Sequence, residues 1–259
     1  MQSRRSEPRK NLAEYDGEDR IVSSRELWVH LSREKEALYV NAMSGIPGID
    51  RACQGFQDGE LVVISGPTKN GKTLLAQTIT ANMARTATFP LWFSFEVPAR
   101  QFLSQFPQIP MIYMPAKLKP RALDWFEERV MEGMVKYGSR VIFVDHLHYL
   151  VDLAKQKKFD IEIGAIIRRL KTLAVSNNLV IFLLCHTTKG KHDAGLSYES
   201  IRDSSFISQE SDCCIMVKRT PEKGEARARA RVEFHRRTGV MERVIELKKV
   251  NGYLVEVAA

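Results

Sequence analysis

Five short apolar runs, each followed or preceded by an amphipathic stretch, set the pattern of this chain. They are Leu61-Val62-Val63-Ile64, Leu91-Trp92-Phe93-Ser94-Phe95, Val141-Ile142-Phe143-Val144, Leu179-Val180-Ile181-Phe182-Leu183-Leu184 and Cys213-Cys214-Ile215-Met216-Val217. Each run is nearly continuous instead of alternating, which is the signature of strands covered on both faces. Residues 122–137 and 161–175 repeat apolar positions at helical spacing, so strands and helices alternate around a parallel sheet. The pattern changes near the end. Residues 227–234, 243–248 and 253–257 read as antiparallel strands joined by turns at Thr238-Gly239 and Asn251-Gly252. The expected fold class is α/β, a mostly parallel central sheet flanked by helices with a C-terminal antiparallel hairpin region. Ahead of it, residues 1–24 are polar and charged and read as a flexible arm. Leu27, Trp28, Leu31 and Leu38 then mark an amphipathic helix, and Gly45-Ile46-Pro47-Gly48-Ile49-Asp50 a turn before a short helix.

Chemistry enters directly after the first long run. Gly66-Pro67-Thr68-Lys69-Asn70-Gly71-Lys72-Thr73 fits the phosphate-loop pattern G-x-x-x-x-G-K-[ST], between a strand and the helical stretch that starts at Leu74. Glycines let such a loop curl so that several N–H groups face the phosphates, and the helix N-terminus adds a favourable dipole. Lys72 would reach the β and γ phosphates of a nucleoside triphosphate, and Thr73 would place its hydroxyl on Mg²⁺. ATP and Mg²⁺ are therefore the expected ligands. Hydrolysis also needs a second metal-orienting carboxylate and a group to orient water. Asp145 ends the run Val141–Val144, where a Walker B aspartate stands, and would hold Mg²⁺ through its hydration shell. Glu96 ends the run Leu91–Phe95 and would be the general base. His186 ends the run Leu179–Leu184 and would sense the γ-phosphate. In an open parallel sheet these strand ends share one edge, so all three would converge on the phosphate loop.

Net charge is +8 over 259 residues, which fits a polyanionic partner. The basic residues cluster at Lys155-Gln156-Lys157-Lys158, at Lys189-Gly190-Lys191-His192, and from Arg227 through Arg229 and Arg231 to Arg236-Arg237. No apolar stretch is long enough for a membrane span and the N-terminus lacks the apolar core of a secretory signal, so a cytoplasmic protein with no membrane partner is expected. The four cysteines show no C-x-x-C spacing and read as reduced, buried thiols.

Several segments carry a family resemblance. Gly45-Ile46-Pro47-Gly48-Ile49-Asp50-Arg51 with Gly55-Phe56-Gln57 resembles the start of the motor domain of DnaB-type replicative helicases, within the RecA-like phosphate-loop ATPases. Trp92-Phe93-Ser94-Phe95-Glu96-Val97-Pro98 looks like that family's strand with its catalytic glutamate. Val144-Asp145-His146-Leu147-His148 resembles its Walker B segment, and Leu196, Arg202-Asp203-Ser204-Ser205, Ile207, Gln209 and Asp212 resemble the stretch before its last core strand. The resemblance implies a homo-oligomeric, commonly hexameric, ring with ATP at subunit interfaces and single-stranded DNA in the centre, served by a helicase loader or primase. It divides the chain into the arm 1–24, a linker helix 25–40 that docks on the adjacent subunit, and a RecA-like motor domain 41–259. It places Arg236 or Arg237 as an arginine finger acting on the neighbour's site, although Phe234 stands where the family usually has a lysine. It places Lys155, Lys157 and Lys158 near one DNA-facing loop and Lys189 and Lys191 near another. Against the family's layout, its separate N-terminal domain is not expected within these 259 residues, and a compact phage or plasmid replicon is the expected source. The implied function is an ATP-driven replicative DNA helicase. A non-helicase RecA-like or KaiC-like ATPase and a nucleotide-gated scaffold or loader share the same phosphate loop and carboxylates.

Overall fold

The computed structural model describes residues 16–17, 20–33, 39–150, 159–186, 207, 209–221 and 226–257. The chain divides into two units, Met1–Leu38 and Tyr39–Ala259. In the first, helix α1 (Ser24–Leu31) is capped by Ser23, whose hydroxyl accepts the Glu26 N–H at 3.1 Å, and none of its residues is buried. Trp28 is 70% exposed, so the apolar side of α1 has no covering among the described residues of its own unit. The helix ends at Leu31, short of the expected linker helix over 25–40; residues 34–38 and most of the expected arm lie outside the described residues.

The second unit begins with β1 (Asn41–Ala42), α2 (Pro47–Cys53) and β2 (Phe56–Gln57), where β1 and β2 form a small antiparallel pair. Then come β3 (Leu61–Ser65), α3 (Lys72–Arg85), β4 (Leu91–Ser94), α4 (Ala99–Ser104), α5 (Leu123–Tyr137), β5 (Val141–Asp145), α6 (Phe159–Ser176) and β6 (Val180–Leu184). The chain closes with β7 (Cys213–Pro221), β8 (Ala226–His235), β9 (Val240–Val250) and β10 (Tyr253–Glu256). One sheet holds eight strands in the order β10-β9-β8-β7-β3-β6-β5-β4. Strands β3 to β7 run parallel and β7 to β10 antiparallel, as the sequence pattern predicts.

Alternate residues of the parallel strands face opposite sides, and both sides are covered. Val62, Ile64, Trp92, Phe143, Phe182 and Leu184 share a core with Leu75, Ile79 and Met83 of α3. Leu61, Val63, Phe93, Ile142, Val144, Ile181 and Leu183 share the other with Phe126 and Val130 of α5 and with Ile163, Ile167 and Leu170 of α6. This double burial explains why the runs lack alternation. Strand β7 extends past the expected Val217 to Pro221 because β8 pairs along it, from Cys213↔His235 to Pro221↔Ala226. The added residues are largely polar because they run past the two cores, where Lys218 and Arg219 are exposed. The two-residue strands β1 and β2 and the six-residue α4 are too short to print a period in the sequence.

An aromatic row crosses the sheet interior. Trp92 stacks on Phe143 at 4.7 Å between centroids, Phe143 stacks on Phe182 at 4.5 Å, and Phe182 meets Phe56 edge-on at 4.9 Å. The row follows the register, since Trp92 pairs with Phe143 and Phe143 with Phe182. All four rings are fully buried. Truncating a central ring would leave a cavity bounded by strands on both sides that cannot collapse. Phe182→Ala should therefore lower unfolding free energy by about 3–5 kcal/mol. Urea denaturation measures this, and a loss below about 1 kcal/mol would show that the row is not a stability element.

Candidate active site

The C-terminal ends of β3, β4, β5 and β6 lie on one edge of the sheet, and the phosphate loop leaves from the end of β3. Gly66 has φ 144°, and a Cβ there would fall 2.1 Å from the Val217 carbonyl oxygen of β7. Only glycine fits that crossing. Asn70 ties the loop down from the other side, accepting the Arg219 N–H at 2.9 Å and donating to the Thr68 carbonyl at 3.1 Å. Gly71, at φ 97°, turns the chain into α3, and its carbonyl accepts the Leu75 N–H. The loop thus ends on the N-terminus of a buried helix, an arrangement suited to anions.

Lys72 opens α3 and is 6% exposed. Its ammonium donates to the carbonyls of Gly66 at 2.8 Å and Pro67 at 3.1 Å, which holds it over the loop. Burial lowers its pKa, while the carboxylates of Asp145 and Glu96 pull it back up. Thr73 donates its hydroxyl to Asp145 Oδ2 at 3.0 Å. Asp145 ends β5 with 3% exposure. Its pKa rises to about 7, first through burial and then through the charge of Glu96, against hydrogen bonding from Thr73 and the charge of Lys72.

Glu96 follows β4 and is exposed. The N–H groups of Phe95 and Glu96 both donate to the Asp145 carbonyl, at 2.7 and 3.3 Å, so the β4–β5 pairing carries Glu96 to the side of Asp145. The two carboxyl groups are within hydrogen-bonding reach of each other. His186 follows β6 and is half-buried; burial, then Lys72 and His148, lower its pKa to about 4. Its ring meets that of His146 nearly edge-on at 4.4 Å. The phosphate loop, Thr73, Asp145, Glu96 and His186 therefore form one constellation, with oxygen donors beside a buried cation at a helix start. Such a group can hold a phosphate chain and a hard divalent metal, and can place a carboxylate next to both.

A family model for the DnaB-like helicase C terminal domain matches residues 42–124 and 111–257. The chain belongs to this family. A probable replicative DNA helicase of Trieres chinensis is 22% identical over 212 residues, covering 68% of this chain and 47% of that protein. The replicative DNA helicase DnaB of Haemophilus influenzae is 23% identical over 215 residues, covering 68% and 46%. The chain thus spans about half the length of the curated relatives it matches. Among solved structures, a DnaB-like replicative helicase described with its primase interactions superposes with a TM-score of 0.76 at 17% identity, over 92% of this chain and 68% of that one. A KaiC-like protein of Pyrococcus horikoshii gives 0.67 at 17% identity, over 85% and 99%. These likenesses establish the RecA-like fold.

In this DnaB-like domain the two arginines singled out from the sequence stand apart from the constellation. They occupy the turn between β8 and β9. Val217 lies against Gly66, and Cys213, four residues earlier on β7, pairs with His235, so the turn is about 13 Å or more from the loop, at the opposite edge of the sheet. Neither arginine reaches this chain's own Lys72. Their surroundings also differ. Arg237 donates to Glu60 Oε1 and to the carbonyls of Cys53 and Gly55, all at 2.8 Å. Burial raises the Glu60 pKa, but the close approach of His235 Nε2, 3.3 Å from Oε1, and hydrogen bonds from Arg237 and the Gln57 N–H outweigh it, leaving the carboxyl below its ordinary value. Arg236 is exposed; its N–H donates to the Asp212 carbonyl at 2.8 Å and its guanidinium to the Gln209 carbonyl.

The basic stripe on β8 is partly neutralised, since Arg229 pairs with Glu246 and Arg231 with Glu233, both at 2.6 Å. Lys155, Lys157, Lys158, Lys189 and Lys191 lie outside the described residues. His146 and His148, which flank Leu147 just after β5, were not assigned a role from the sequence. A pair of histidines spaced by two at the end of an apolar strand was the available signal. Among the described residues, no helix is long and apolar enough to cross a membrane.

The Asp145 shift has a testable sign. Between its ordinary value of 3.8 and its folded value of about 7, the native carboxyl keeps a proton that the unfolded chain releases. Stability therefore falls as pH rises through this window. His146, lowered to about 3, and His186, lowered to about 4, act in the opposite sense below pH 6.5. Asp145→Asn removes only the first contribution. Between about pH 4.5 and pH 7, wild type should lose, relative to Asp145→Asn, on the order of a few kcal/mol in metal-free urea denaturation. Parallel pH profiles for the two proteins would refute the buried-carboxyl assignment.

Proposed function

We propose that this chain is the motor of a ring-shaped replicative DNA helicase, coupling ATP hydrolysis at subunit interfaces to movement on single-stranded DNA. The observation that carries the reading is the convergence of Lys72, the Thr73–Asp145 pair and Glu96 on one sheet edge. The Gly66–Gly71 backbone and Lys72 bind the phosphate chain of ATP. The hard oxygen donors of Thr73 and Asp145 fit Mg²⁺, which supplies charge neutralisation on the β and γ phosphates. Glu96 accepts a proton from the attacking water, and its neighbour Asp145 keeps that carboxylate close to the metal-binding edge. His186 follows the γ-phosphate with a hydrogen bond and passes its loss to the segment beginning at Thr187.

The arginine finger comes from the neighbouring subunit. Arg236 takes this role: it is exposed and would exchange its bond to the Gln209 carbonyl for the phosphate, whereas Arg237 is tied to the buried Glu60 carboxylate and two carbonyls of its own subunit. Its charge stabilises the transferring phosphoryl group. The exposed apolar side of α1 is a linker surface for the adjacent subunit. Lys155, Lys157, Lys158, Lys189 and Lys191 grip DNA phosphates, a mode that weakens with salt. A loader or primase completes the set of partners.

Single-stranded DNA should stimulate ATP hydrolysis by the purified chain in a salt-sensitive way, with rings forming in ATP. Glu96→Gln should cut turnover by about 10²–10⁴-fold while nucleotide binding persists. DNA-indifferent hydrolysis by a monomer would instead point to a non-helicase RecA-like ATPase. The finger has its own test. Mixing inactive Lys72→Ala subunits with inactive Arg236→Ala subunits should partly restore hydrolysis, because some interfaces then hold one intact half-site from each. No rescue, or rescue only with Arg237→Ala, would remove Arg236 from this role.

A further inference from the structure

Beside the phosphate loop lies a second set of donors that the helicase chemistry does not use as a set. Glu96, His146 and His186 each offer a ligand atom, and these atoms lie within 4.8 Å of one another. They come from the ends of three different strands, β4, β5 and β6, so adjacent parallel pairing holds them together. Nδ1 of His146 and Nδ1 of His186 are buried and have no hydrogen-bond partner among the described residues. A buried ring nitrogen without a partner is expensive unless something else occupies its lone pair. His148 lies alongside, its ring 5.2 Å from that of His146 and 6.5 Å from that of His186.

We infer that Glu96, His146 and His186 form a site for a transition-metal dication of the zinc class, separate from the Mg²⁺ position at Thr73 and Asp145. Two imidazoles and one carboxylate are the donor set of many three-ligand zinc sites, with the fourth position left to water. Bond lengths of about 2.0–2.2 Å put tetrahedral donors roughly 3.3–3.6 Å apart, so small side-chain rotations from the present arrangement close the site. Imidazole nitrogen also selects zinc, cobalt or copper over Mg²⁺, which prefers oxygen and water. The Glu96 carboxylate supplies the charge opposite to the ion.

A consequence follows for turnover, and this part rests on the roles proposed above for Glu96 and His186. An ion at this site ties up both the base and the γ-phosphate sensor. Zinc would then inhibit hydrolysis by engaging these two groups, even with Mg²⁺ and ATP in place.

The binding claim is tested without turnover by titrating the full, metal-free chain with Co²⁺ and following visible absorption. The expected result is one Co²⁺ per chain with the intense absorption of four-coordination, retained in excess Mg²⁺ and displaced by Zn²⁺. His146→Ala should weaken binding by at least about tenfold, and His186→Gln by a similar factor, whereas His30→Ala on α1 should not. Circular dichroism confirms that the variants are folded; should His146→Ala be unfolded, His146→Gln and His186→Gln give the same reading. A titration unchanged in either folded histidine variant overturns the inference. So does a thiolate charge-transfer band that disappears in Cys213→Ser, since the ion would then sit in the buried Cys53, Cys213 and His235 cluster. Separately, with Mg²⁺ and ATP in excess, the Zn²⁺ concentration that halves ATP hydrolysis should rise at least about tenfold in His146→Ala, relative to that variant's own zinc-free rate. A chain with the cobalt signature but no ATPase activity would sink the proposed function and leave the metal site standing. A chain with ATPase activity and no cobalt signature would do the reverse.

Discussion

The parallel pairing of β3 with β6 on one side and β7 on the other is the constraint on which everything else rests. It forces the strand bearing the phosphate loop into the centre of the sheet, where both faces must be dry. It also brings the loop under the β7 backbone so closely that a side chain at Gly66 has no room. Burial and chemistry are thus set by one arrangement. The strands that fill the two cores with Val62, Val63, Phe143, Ile142, Phe182 and Ile181 end together on the edge where Asp145, Glu96 and His186 stand.

The electrostatics of that edge are those of a site prepared for added charge. Lys72 is buried but keeps two carbonyls and two nearby carboxylates, so its ammonium is compensated in part. Asp145 and Glu96 repel each other across a short gap, which is why burial and Glu96 together lift the Asp145 pKa so far. A hard cation placed between such oxygens relieves the repulsion, and a phosphate chain placed over the loop uses the lysine. The same edge carries a histidine-rich flank of different character, with nitrogen donors.

Much of this was legible in the sequence, for identifiable reasons. Doubly covered strands must be continuous apolar runs, so β3, β4, β5 and β6 were readable to within a residue or so. The alternation of those runs with helical stretches was enough to place the carboxylates at their ends on a common edge. The phosphate loop has a fixed spacing because its geometry is fixed. What the sequence could not show depends on contacts between distant segments. The extension of β7 to Pro221 exists only because β8 lies beside it. The separate fates of Arg236 and Arg237 depend on Glu60 and on the carbonyls of Cys53 and Gly55, 177 to 184 positions away. His146 and His186 are 40 residues apart in a chain with six histidines, and only the β5–β6 pairing makes them neighbours.

The attachment of Arg237 has a mechanical meaning as well. Three hydrogen bonds fasten the β8–β9 turn to the segment around α2 and β2, on the far side of the sheet edge from the phosphate loop. A turn fixed in this way is not a free loop. The backbone that bears the exposed Arg236 is carried by the sheet like a tooth on a gear, so a rotation of the plate of strands behind it would carry that arginine along.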